Sequence, residues 1–247
     1  SKQTAQQTDK ERTRKKSDKN VNNYRKIVVA DNDELESKYR NEYRGRVQDR
    51  NVTIVPQPMY VLTYYEQVTE IDQAVHYYKF IEEQNRKHVY PGKLLITNEE
   101  TPLTERQVTK HFASIDEQTV AVVNNPNDAD KRFVRSLDFY LVQDWDNALE
   151  DLTQTILCDG EYFLAYFNRA IIRYKQLEFQ KAEKRYEEAE VGMKMLPKAS
   201  DYNLIRRDLD KVVELAPDFV YAYFNSANVA VAMNDYRSAL ADYDKAI

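Results

Sequence analysis

Glycine and proline are scarce, at four and seven in 247 residues, below the roughly 7% and 5% of an average protein. Turn-rich β architecture uses those residues at its hairpins, so their scarcity favours long helices. The four glycines, Gly45, Gly92, Gly160 and Gly192, stand far apart, which excludes the usual glycine-rich phosphate cradles. Cys158 is the sole cysteine; it allows no internal disulfide and leaves the redox compartment unread. As a nucleophile it lacks a nearby histidine in sequence, and a buried or inert thiol is expected. The three histidines, His76, His88 and His111, have no partner at i,i+4 and no Cys-x2-Cys companion, so surface or half-buried side chains are expected, with no metal and no cofactor. No apolar run reaches the roughly 20 residues that span a bilayer, and no signal-type apolar core stands near the start. The chain begins with Ser1 and stops at Ile247 inside a repeating pattern, so it reads as a fragment.

What is present is apolar and unevenly charged. Hydrophobic residues make up 42%, enough for a core, and the net charge is −5. Residues 1–26 hold nine Lys and Arg against Asp9, Glu11 and Asp18, a surplus of six, so the remainder is clearly acidic. That arm has no aromatic residue before Tyr24, and a solvated linker fits it better than an RNA or anionic-surface contact, which would show steep salt dependence. Glu187, Glu188 and Glu190 fall in a charged stretch and read as a solvated face, not as paired catalytic carboxylates.

Three regions follow. Residues 1–44 are the basic arm with a short charged helix toward Tyr43. Residues 45–103 read as a small mixed α/β element. Val52 and Ile54 straddle Thr53, Met59 to Tyr65 is rich in β-formers, Lys93 to Thr97 is a further short strand, and Thr69 to Lys87 has helical spacing between them. From residue 104 onward the chain is helical. Thr104 and Gln107 have capping-box spacing, with Leu103 placed to staple onto Val108 and an apolar face of Val108, Phe112, Ile115 and Val122.

Within 104–247 the small residues recur on a 34-residue ruler. Ala148, Ala182 and Ala239 share a slot, with Trp145, Phe179 and Tyr236 three residues earlier and Leu152, Tyr186 and Tyr243 four later. Ser136, Ala170 and Ala227 share a second slot, and Ser114, Ala121 and Pro126 fit a degenerate earlier unit. Ala or Gly at helix crossings lets backbones approach closely while aromatics fill the adjacent space. The pattern resembles the tetratricopeptide repeat, a 34-residue helix-turn-helix unit. The fold class expected is mostly α, a right-handed tetratricopeptide-like solenoid of helix pairs preceded by the small mixed α/β element. Its repeats lie near 129–162, 163–217 with a 23-residue insertion, and 220–247, truncated. The repeats joined to the upstream region also resemble repeat proteins exported by Bacteroidetes-type bacteria, a likeness that leans toward export and fixes no activity.

The insertion leaves two arrangements open. Either 163–196 is a full repeat and 201–215 an extra helix, or one long helix runs from about 162 to 190 and pairs with 201–216. The absence of Gly, Pro and turn residues near 176–179 favours the second.

The resemblance also implies a concave groove lined by the first helix of each pair: Phe133, Leu137 and Tyr140; Leu164, Phe167, Ile171 and Tyr174; Tyr221, Phe224, Asn228 and Val231. Asn168 and Asn225 share one slot, where bonding within the scaffold is expected ahead of bonding to a peptide backbone. The Lys slots by which some relatives grip a carboxylate hold Leu164 and Tyr221, so that mode does not transfer. The function expected is a non-enzymatic scaffold binding a protein or peptide partner in this aromatic and aliphatic groove. The alternative is a structural or self-assembly module whose groove is filled by its own segment.

Overall fold

A computed structural model describes residues 56–64, 79–87, 94–98, 100, 102–191 and 199–247. The basic arm, the strand candidate at Val52 and Ile54, His76, His88 and the first part of the Thr69 to Lys87 helix lie outside the described residues. Two short strands, β1 (Val61–Tyr64) and β2 (Leu94–Thr97), pair antiparallel with Leu62 opposite Ile96. Helix α1 (Lys79–Lys87) packs on β2. Both strands are buried along their whole length, so apolar residues sit on both faces and Thr63 and Thr97 are enclosed with them.

Seven further helices follow among the described residues. They are α2 (Glu105–Asn124), α3 (Ala129–Leu141), α4 (Trp145–Cys158), α5 (Phe163–Val191), α6 (Asn203–Leu215), α7 (Val220–Ala232) and α8 (Tyr236–Lys245). Their starts are written locally. Thr104 and Gln107 form the expected capping box, and Asp128, Asp144 and Asp235 each accept the backbone N–H three residues on. The turns from α3 to α4 and from α7 to α8 pass through left-handed residues, Gln143 at φ 64° and Asn234 at φ 61°. Neighbouring helices pack in succession, with α3 on α4, α5 on α6 and α7 on α8 as the pairs. The architecture is a mostly α, tetratricopeptide-like solenoid. Ala148 and Ala239 are buried in equivalent positions of the outer two pairs.

Ala182 does not share that role. Residues 163–191 form one continuous helix, and Ala182 is exposed on it. The partner of α5 is α6, where Tyr202, Ile205, Leu209 and Val212, all at most 1% exposed, take the slots of Trp145, Ala148, Leu152 and Thr155. Without a glycine, a proline or a residue suited to positive φ near 176–179, nothing breaks the helix there. The apolar face of α2 is also rotated from expectation: Phe112 is 53% exposed, while His111, Ile115, Gln118 and Val122 are buried.

An ion-pair ladder marks the same ruler. Arg135 of α3 makes a bidentate contact with Asp151 of α4 at 2.7 and 2.6 Å, and Arg169 of α5 does the same with Asp208 of α6 at 2.9 and 2.7 Å. The first pair is 16 residues apart and the second 39, a difference of 23 that places the insertion between the paired helices.

Candidate functional site

The first helices of the three pairs, α3, α5 and α7, meet an extended stretch of the same chain. Pro56 and Pro58 hold this stretch open, because a proline fixes its own φ and biases its predecessor, here Gln57, to extended backbone. Tyr60 then meets Asn225, whose Oδ1 accepts the Tyr60 N–H at 2.8 Å and whose Nδ2 donates to the Tyr60 carbonyl at 2.8 Å. One turn along α7, Asn228 Oδ1 accepts the Gln57 N–H at 3.1 Å and the Tyr243 hydroxyl. The Tyr60 ring sits edge-on between Tyr221 and Phe224, with centroids 4.7 and 4.9 Å away. Side-chain amides satisfy the backbone at Gln57 and Tyr60, and two aromatic faces take the tyrosine.

Beyond Tyr60 the chain becomes β1, which lies against α3 and α5. Met59, Val61, Leu62 and Tyr64 share one hydrophobic cluster with Phe133, Leu137, Tyr140, Leu164, Phe167 and Ile171. Phe133, Leu137, Leu164, Phe167 and Ile171 are fully enclosed, and Tyr140 is buried. Tyr174 and Tyr221 are half-buried against this cluster, and Phe224 is half-buried beside Tyr60. Val231 is buried at the last pair with Ala230 and Ala239. Asn225 thus bonds an extended backbone and not the scaffold, contrary to the sequence expectation. Asn168, in the matching slot of α5, is 3% exposed, and its Nδ2 has no hydrogen-bond partner among the described residues. The Asn228 Nδ2 is likewise buried without one.

Hydroxyls, not charges, dominate the face. Burial raises the pKa of Tyr60, and raises Tyr140 well above its ordinary value with the nearby Glu100 carboxylate adding to it. Burial also raises Tyr174, with Glu178 adding, and pushes Tyr243 up to about 12. All four therefore remain neutral hydroxyls at neutral pH. Glu100 accepts from Tyr140 at 3.3 Å and pairs with Lys175, which closes the rim between α3 and α5.

A second polar cluster sits where α2 meets α3. Asp138 is 1% exposed, approaches His111 Nδ1 at 2.8 Å and accepts the Ser114 hydroxyl at 2.5 Å. His111 is 4% exposed and stacks on Tyr64 at 5.9 Å between centroids. The expectation of a surface or half-buried histidine fails for His111, since Asp138, 27 residues away, makes its burial tolerable. Among the described residues no group of three or more His, Cys, Asp or Glu is arranged to hold a metal ion, and no helix is long and apolar enough to cross a membrane. Cys158 is exposed at the end of α4, so it is not the buried thiol that was one expectation.

The sequence reading missed residues 56–60 as the occupant, although the Pro-x-Pro spacing ahead of an apolar run was a signal of an extended segment. It also missed the Arg–Asp ladder, legible as an arginine recurring at 34 residues and an aspartate recurring at 34 plus the 23-residue insertion.

No family model matches the chain, and no curated protein matches it. Solved structures that it resembles include "Crystal structure of MamA", with TM-score 0.41, 14% identity, 53% of this chain and 64% of that one covered. "Crystal structure of MamA protein" gives TM-score 0.42 and 14% identity over 55% of this chain and 62% of that one. "MamA MSR-1 C2" gives TM-score 0.41 and 14% identity over 57% and 67%. The chain thus spans less than two thirds of the first two structures.

Proposed function

We propose that this chain is a non-enzymatic assembly scaffold for protein partners, a stack of helix pairs whose concave groove is closed by its own residues 56–64. The observation that carries this reading is the two-way amide pairing of Asn225 with Tyr60, continued by burial of β1 in the same apolar cluster as the groove residues. A groove so filled lends rigidity to the stack and leaves partner binding to its other surfaces. Asn225→Ala tests it. Because the substitution strands a backbone donor and acceptor, it should lower unfolding stability by about 1–3 kcal/mol in a denaturant titration. Unchanged stability would remove the reading.

A second reading is favoured by one observation: Pro58 is exposed, and Pro56, Gln57 and Tyr60 are only half-buried. On that reading a partner's extended peptide displaces residues 56–60 and uses Asn225, Asn228, Tyr221 and Phe224 in their place. A labelled peptide of sequence Pro-Gln-Pro-Met-Tyr, titrated by fluorescence anisotropy, separates the two. Saturable binding that Asn225→Ala abolishes favours the displaced groove, and no binding favours the closed one.

A further inference from the structure

The ladder has a rung without its arginine. In the first two pairs, the arginine bridges a threonine of the preceding helix and an aspartate of its own partner helix. Arg135 reaches Thr119 at 3.2 Å and Asp151 at 2.6 Å; Arg169 reaches Thr153 at 3.4 Å and Asp208 at 2.7 Å. In the third pair the same three positions hold Asp210, Ser226 and Asp242. Ser226 and Asp242 are again 16 residues apart, and the serine hydroxyl donates to Asp242 at 2.9 Å. A short side chain stands where a guanidinium should be, and the threonine has become a second carboxylate. The space is open: a cleft of about 270 Å³ between α6, α7 and α8 is lined by Asp210, Ser226 and Asp242, with Arg206, Tyr223 and Lys245 among its other walls.

We infer that this cleft binds a guanidinium group, the arginine side chain of a partner protein, which completes the rung that Ser226 leaves empty. The occupied form of the same slot is present twice in this molecule, with bidentate geometry both times, the arrangement in which arginine outperforms lysine. Asp210 is raised from its ordinary value by partial burial, Arg206 opposes that, and the Asp242 carboxylate adds to it. A cation seated between them would relieve the repulsion. The cleft's own cations do not reproduce the rung. Lys245 stands 3.7 Å from Asp242 with its side chain 59% exposed, and Arg206 acts on Asp210 from its own helix.

The test is a titration of the whole chain with N-acetyl-L-arginine amide, followed by amide NMR shifts on α6, α7 and α8. Saturable shifts are expected there, with affinity about tenfold weaker for Asp242→Asn, as for loss of a charge-assisted pair. Ser226→Arg fills the slot from within, so it should abolish binding and raise the thermal midpoint. Three results would each overturn the inference: no shifts in the unmodified chain, equal binding of N-acetyl-L-lysine amide, or binding retained in Ser226→Arg. Binding that emerges only in Arg206→Ala would also overturn it, by making Arg206 the resident cation. Free L-arginine binding more tightly than the capped form would exclude a protein source. Circular dichroism of each variant checks that the helices persist.

Discussion

Asp138 gathers two side chains from the neighbouring helix onto one carboxylate. His111 and Ser114 both turn toward its carboxylate at the α2 and α3 contact, where the aspartate and histidine are almost sealed from water. Asp138→Ala should therefore cost about 2–4 kcal/mol, because it deletes two hydrogen bonds to a carboxylate that is shielded from water; a loss below 0.5 kcal/mol in denaturant titration would contradict this. At Gln143 the backbone, not the side chain, carries the strain. The residue is exposed with φ 64°, a region that a β-carbon disfavours. Gln143→Gly should stabilise by about 0.5–1 kcal/mol, read as a higher thermal midpoint, since no packing is surrendered. The equivalent turn already uses Asn234, a residue better suited to that conformation.

Helix α5 shows how an element can outgrow its repeat. Its first half supplies the apolar cluster and the ladder, while residues 178–191 carry it past the point where α3 and α7 stop. The extension is tied down at a few places: Phe179 meets Trp145 at 5.9 Å, and Lys181 pairs with Glu178 and with the Tyr202 hydroxyl. Residues 178–200 number 23, and removing them would join Leu177 to Asp201 in the register that joins Gln143 to Asp144. Leu177 would then occupy the left-handed turn position, so the deletion should be made with Leu177→Asn. That variant is expected to stay helical and cooperative in circular dichroism, because the ladder and the crossing slots of α6 survive. Its collapse to an unfolded chain would mean that the extension belongs to the core.

At the level of the whole molecule, the two strands and the helical stack share one apolar cluster, running from Met59 through Leu62 and Ile96 to Phe219 and Val229. Leu62 is wholly enclosed. Leu62→Ala should destabilise the helices as well as the strand pair, by about 2–5 kcal/mol, and fluorescence of the sole tryptophan, Trp145, should report the same midpoint as the helical signal. Two separate transitions would show the strand pair to be an appendage. Period, caps and small crossing residues were readable in the chain because each is a local property: Ala148 and Ala239, Thr104 with Gln107, and Asp144 with Asp235 are set by neighbours three or four residues away or by the repeat spacing. Ala182 misled for the same reason, since a local match carries no record of whether the backbone actually turns. The sequence by itself determined a stack of helix pairs and the aromatic residues that recur along their first helices. Only the tertiary structure decided what Asn225 and its aromatic neighbours meet, because an amide bonds any extended backbone alike. The choice of Tyr60 for Asn225, 165 residues apart, follows from where the packed chain brings the extended segment that leads into β1.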